Sequence, residues 1–125
     1  MRQLLSFFHH NVAKLLFLCK HACPDIQTAV AFLCTRVKCL DVDDYKKLTR
    51  VMKYLQNTVN LPLVMEAKNL NAVEWWVDAS FAVYPNMRNH TGCVIMLGAG
   101  AVYASSTKQK LNTCSSTEAE LVGVF

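Results

Sequence analysis

The sequence predicts an α+β fold, with a helical hairpin and a third helix in the first half, then an antiparallel three-stranded meander followed by a helix in the second. Three observations carry that prediction. Apolar residues recur at helical spacing up to about residue 60. The run Asn57 to Asn60, followed by Leu61-Pro62, breaks the pattern. Beyond it, β-favouring runs bracketed by glycine take over. The 125 residues therefore divide into two parts, 1–60 and 61–125, each small for an independent domain.

In the first helix Leu4, Phe8, Leu15, Leu16 and Cys19 fall near one face of a 3.6-residue repeat, and the pattern stops at Cys23-Pro24, because the residue before proline disfavours helix. Pro24 opens a second helix, where its missing N–H costs nothing, and Ile26, Ala29, Val30 and Leu33 form the stripe that packs on the first. Asp41, Asp43 and Asp44 serve as cap and first-turn residues of a third helix. Its buried side carries Tyr45, Leu48, Met52 and Leu55. Lys46, Lys47, Arg50 and Lys53 lie elsewhere on it, either along a nucleic-acid backbone or as the solvated side of an amphipathic helix.

The second part begins with a short apolar run, Leu61 to Met65. Val73 to Val77 follows, with two tryptophans and two valines suited to a largely buried strand that ends at Asp78. A polar loop contains Pro85, Asn86, Arg88 and Asn89. Then Gly92 to Leu97 and Ala101 to Ser105 flank Gly98-Ala99-Gly100 as a hairpin. Ser115, Ser116 or Thr117 caps a last helix beginning near Glu118, with Glu120 reaching back toward Thr117.

Composition narrows the function classes. Hydrophobic residues at 53% and charged residues at 18% give a core-forming chain and exclude a disordered tail. A formal net charge of +4 suits a polyanionic partner. The longest apolar runs, Leu15 to Cys19 and Ala29 to Cys34, are far shorter than the roughly 18 residues a bilayer span requires, so no membrane role is expected. His9, His10, Asn11 and Lys14 interrupt any export signal, which makes the expected location intracellular, in cytoplasm or nucleus. The six cysteines include C-x3-C and C-x4-C pairs at Cys19, Cys23, Cys34 and Cys39. That spacing departs from the C-x2-C of zinc knuckles and places the thiols in helical patterns, where they act as small apolar residues.

Two carboxylates stand out by position: Asp78 at the end of the most hydrophobic strand and Glu120 in the helix after the hairpin. Converging carboxylates hold hard divalent ions, and a pair of such ions activates water and stabilises the leaving oxygen in phosphodiester hydrolysis. The same residue types also cap turns and complement helix dipoles.

Several separated motifs, in order, resemble the polyproteins of Ty/copia-type retrotransposons. His9 to Leu18 followed by Pro24-Asp25-Ile26-Gln27-Thr28-Ala29-Val30 is similar to the helical pair beyond the reverse transcriptase palm, and Asp43 to Thr58, with its Arg-x-x-x-Tyr-Leu-x-x-Thr ending, to the next helix. Trp76-Val77-Asp78-Ala79-Ser80-Phe81-Ala82 resembles the opening strand of the family's ribonuclease H, and Arg88 to Gly92 its Arg-x-x-Thr-Gly segment. Ser105 to Lys110 and Ser115-Ser116-Thr117-Glu118-Ala119-Glu120-Leu121 complete the set. The resemblance implies a chain running from the tail of a reverse transcriptase into an incomplete ribonuclease H-like domain, with Asp78 and Glu120 as catalytic carboxylates and magnesium ligands. Glu118 is the alternative to Glu120. The implied partner is an RNA–DNA hybrid, with Lys46, Lys47, Arg50 and Lys53 as weak nucleic-acid contacts. Lys108 and Gln109 are read as exposed loop residues, either at the backbone or solubilising.

The pattern also breaks. No palm aspartates precede His9, Cys23 stands where a basic residue is expected before Pro24-Asp25, and no acid follows Glu120 in the 125 residues. The family's strand bearing Asp78 has a neighbour on each side. The expectation is a half-built site, inactive alone, with a non-catalytic remnant that binds nucleic acid weakly as the alternative.

Overall fold

The computed structural model describes residues 2–67 and 71–124. The chain forms two compact units, Met1–Leu63 and Val64–Phe125. The mixture is α+β as the sequence predicts, with helices in the first unit and a three-stranded antiparallel sheet plus one helix in the second.

In the first unit, α1 spans Arg2–His21. A 3-10 turn at Pro24–Ile26 leads directly into α2, Gln27–Arg36. α1 buries Phe8, Val12, Leu15 and Cys19, a stripe at helical spacing, against Ile26, Val30 and Leu33 of the following segment. Leu48 and Val51 of α3, Val42–Asn57, close the same core. The buried stripes differ from the predicted ones in detail. Val12 takes a core place while Leu4 and Leu16 are exposed; Ala29 is exposed too, and Val51 replaces Met52. Several neighbouring positions on each helix are apolar, so periodicity alone leaves the inward face undecided by about one residue.

The acidic start of α3 forms a capping box. Asp41 accepts from the Asp44 backbone N–H at 2.8 Å, and Asp44 accepts from the Asp41 N–H at 3.1 Å. The first of these bonds, with Arg36 close by, holds the Asp41 carboxyl below its ordinary value. Asp44 is fully buried and also accepts from Arg36 Nε at 3.0 Å, which fastens the end of α2 to the start of α3. Tyr54 near the end of α3 donates its hydroxyl to Asp25, tying two of the motif residues together. Cys23 and Cys34 pack against the core around Cys19, and burial pushes all three thiols up.

In the second unit the strands are β1, Glu74–Ser80; β2, His90–Met96; and β3, Ala101–Lys108, in the order β1-β2-β3. The strand predicted at Leu61 to Met65 does not form. That stretch forms no regular element and joins no ladder, and Pro62 lacks the N–H a ladder position needs. Its Val64 carbonyl instead lies against Gly100 in the β2–β3 turn, where any Cβ would collide with it, which explains glycine there. β1 runs past Asp78 to Ser80, so Asp78 is inside the strand rather than at its end. The tryptophans expected to be largely buried are exposed, Trp75 at 62% and Trp76 at 64%. β1 is an edge strand, and only part of one of its faces is covered.

The cover is α4, Ser116–Val124. Gly123 lies over Thr91 and Ala79, directly opposed residues of β2 and β1 on one face of the sheet. Val77 and Ala79 are correspondingly half-buried, while Trp76, Asp78 and Ser80 alternate to the other, open face.

Candidate nucleic-acid interface and carboxylate site

Around Asp78 the sheet register sets the geometry. Asp78 opposes Gly92, which opposes Ser106, so these three form one row on the open face. Gly92 has nothing within 4 Å of where a Cβ would stand, and the middle of that row is therefore open space. Asp78 itself is exposed. Its oxygens are hard donors with room for a divalent ion.

Glu120 is exposed on α4, one turn before Gly123 and the contact with Ala79. The two carboxylates thus sit on packed elements, with Asp78 directed to the open face and α4 laid over the other. Among the described residues no three His, Cys, Asp or Glu side chains form a metal-holding group. Asp78 and Glu120 suit magnesium by donor chemistry and fall short both by number and by standing on elements at opposite faces of the sheet.

Of the three caps predicted for α4 the structure selects Ser115, and it corrects the glutamate that reaches back. Ser115 is the cap, its Oγ accepting from the Glu118 N–H at 3.2 Å, and Glu118 rather than Glu120 reaches back, accepting from the Cys114 N–H at 2.7 Å. The helix accordingly begins at Ser116. Glu120 stands on the exposed side of the helix with Thr117, Glu118, Leu121 and Val124, and of the two glutamates Glu118 is the one bonded in the cap.

The polar residues that build this unit were missed or misplaced from sequence. Asn89 is fully buried and Gln109 nearly so. Asn89 Oδ1 accepts from the Ala82 N–H at 2.9 Å, and its Nδ2 donates to Gln109 Oε1 and Thr113 Oγ1, both at 2.8 Å. Gln109 Nε2 donates in turn to Thr91 Oγ1 at 2.8 Å and to the Ala119 carbonyl at 2.9 Å. Gln109 is therefore an internal clamp between β2, β3 and α4, not an exposed loop residue. The bond to Asn89 also holds Ala82 at a φ of +54°, a left-handed conformation that an alanine rarely adopts. The available signal was that Asn89 and Gln109 stand inside the two motifs flanking β2 and β3.

A second polar chain lies on the open face. Tyr84 OH is 2.8 Å from His90 Nδ1, and His90 Nε2 is 2.6 Å from Ser106 Oγ. Burial holds the imidazole below its ordinary value and pushes the Tyr84 phenol up. Lys108 places its ammonium 4.3 Å from the centre of the Tyr84 ring.

On α3, Lys46, Lys47, Arg50 and Lys53 are all exposed. Lys46 pairs with Asp43 at 2.9 Å, and Lys47 sits 4.5 Å from the Phe32 ring centre and 4.0 Å from Asp44. Half of that basic face is thus already engaged by its neighbours. No described helix is long and apolar enough to cross a membrane.

Comparison with known proteins adds one relative. The chain is similar to an uncharacterized mitochondrial protein of Arabidopsis thaliana, 30% identical over 98 residues, which is 78% of this chain and 41% of that protein. The chain thus spans about two fifths of the curated relative it matches. No family model and no solved structure matches it.

Proposed function

We propose that the chain is a segment of a Ty/copia-type retrotransposon polyprotein, running from the end of a reverse transcriptase into the opening half of a ribonuclease H. The single observation that carries this reading is the order of its motifs along one meander and helix. Asp78 falls inside the first strand, and Glu120 falls on the helix that follows the hairpin and packs on that strand. The capping role of Glu118 supports Glu120 as the second carboxylate.

In the intact family's reaction, magnesium held by such carboxylates supplies an activated water and a counter-charge for the leaving oxygen of an RNA strand paired to DNA. Asp78 would hold one side of that centre from the open face, while Glu120 stands on the helix laid over the other face of the sheet. Two acids leave the ion pair short of ligands, so cleavage requires carboxylates from outside residues 1–125, and this chain by itself binds nucleic acid without cutting it. The test is cleavage of a labelled RNA–DNA hybrid by the purified chain in magnesium or manganese, beside Asp78→Asn. No cleavage above that variant is expected. Cleavage abolished by Asp78→Asn would show a complete centre, and the claim of a half-built site would fall.

A further inference from the structure

Where the first unit gives way to the second, the chain runs unfastened. Val59 to Ala67 are all exposed, and residues 61–67 form no helix, strand or turn. Leu61 still donates its N–H to the Thr58 carbonyl at 2.9 Å, but from Pro62 to Ala67 no backbone hydrogen bond reaches the backbone of another described residue. The other long loops are tied down. Ala22 and Cys23 donate to the Leu18 carbonyl, and Cys39 to that of Arg36. In the loop after β1, Tyr84 donates to the Arg88 carbonyl, Met87 to that of Tyr84, and Ala82 to the Asn89 side chain. The loop before α4 is pinned at Gln109, Thr113 and Cys114.

An endoprotease takes its substrate as an extended strand, with backbone hydrogen bonds for affinity and side-chain pockets for specificity. A folded segment must open before it can be held in that way, and opening costs least where few bonds resist it. Residues 62–67 meet the requirement as they stand. Their side chains select the class of enzyme: Leu63, 42% exposed, Val64, 61% exposed, and Met65 are bulky and apolar, and no Lys or Arg stands between Lys53 and Lys68. The Leu63–Val64 bond is also the point where the first unit ends and the second begins. We propose that residues 61–66 are a processing site, cut by an endoprotease with apolar side-chain pockets, which separates the helical unit from the sheet unit. Water is the co-reactant: the C–N bond between Leu63 and Val64 breaks, the hydroxyl goes to the Leu63 carbonyl carbon and the proton to the Val64 nitrogen. Val64 stays with the sheet unit, its carbonyl lying against Gly100. The source of the protease rests on the polyprotein reading above, whereas the susceptibility of the segment follows from its exposure and its missing bonds.

The experiment exposes the full 125-residue chain to a small amount of thermolysin, which cuts before bulky apolar side chains, and follows the fragments in time by intact mass spectrometry. The first cut is expected before Leu63, Val64 or Met65, giving one helical and one sheet-bearing piece. Leu111 is the internal control, because it is 62% exposed and equally apolar but stands in the pinned loop before α4. The triple variant Leu63→Asp, Val64→Asp and Met65→Asp places charge where apolar pockets must close and should slow the first cut by about ten-fold or more. Leu111→Asp should leave its rate unchanged. Circular dichroism checks that both variants are folded. A first cut before Leu111, Met87 or any residue outside the segment would overturn the proposal, as would a folded triple variant cut in the segment at the parent's rate. None of these outcomes depends on cleavage of an RNA–DNA hybrid, so the failure of this proposal leaves the family reading standing, and the failure of the half-site claim leaves this one.

Discussion

The two units hold themselves together in different ways. The first buries a continuous apolar cluster, Phe8, Val12, Leu15, Cys19, Ile26, Val30, Leu33, Leu48 and Val51. In the second, the buried hydrophobic side chains among the described residues are Tyr84 and Ala119, and Asn89 and Gln109 are buried beside them. A three-stranded sheet with one short helix encloses little volume. Its interior is correspondingly a place where strand ends, a loop and a helix terminus meet, and amide side chains satisfy their backbone and hydroxyl groups better than a hydrocarbon would. The lesson is that polar residues standing in a motif beside a candidate carboxylate can serve the scaffold alone. Here two of them hold the scaffold that displays Asp78.

Both tryptophans of the chain lie on β1, so tryptophan fluorescence reports the second unit while helical circular dichroism is dominated by the first. This makes the contrast between the units measurable. The largest effect is expected from Phe8→Ala, which removes the ring that packs edge-on against Tyr45 with centroids 5.3 Å apart and should cost the first unit about 3–5 kcal/mol. In denaturant the helical signal should be lost early, with the fluorescence transition little moved. Coincident shifts of both signals would show that the units unfold as one.

Next in size is Asn89→Ala. It strands the Ala82 N–H, Gln109 Oε1 and Thr113 Oγ1 and should cost the second unit about 1–3 kcal/mol, read as an earlier fluorescence transition. An unchanged midpoint would mean that the amide clamp is ornamental.

The smallest effect is the response to acid. His90 has a folded-state value depressed below its ordinary 6.5, so the unfolded chain binds the proton more readily and stability is full above that value. As pH falls below 6.5 and through the folded-state value, that contribution to the second unit is lost. Asp41 is likewise depressed, from 3.8, but its contribution to the first unit is lost only on much stronger acidification. The fluorescence midpoint should therefore begin to fall at milder pH than the helical one, and His90→Gln should remove the early fall. Parallel pH profiles for the two signals would contradict this assignment.

Much of this molecule was legible before any coordinates. Helical spacing, the break at Leu61-Pro62, the acidic start of α3 and the glycine-bracketed turn identify each helix and the two hairpin strands, because these signals are local: a cap, a missing N–H and a tight turn act within a few residues of themselves. The positions of Asp78 and Glu120 on a strand and a following helix belong to the same class of information. What tertiary structure alone decided is which faces are covered. Trp75 and Trp76 read as core by residue type, yet they are exposed, since burial depends on where α4 comes to rest and on β1 being an edge. Gln109 reads as loop by polarity, yet it is internal because β2, β3 and α4 converge on it. Amide, indole and ammonium groups take their roles from neighbours remote in sequence, and no local pattern in a chain specifies which of those neighbours will arrive.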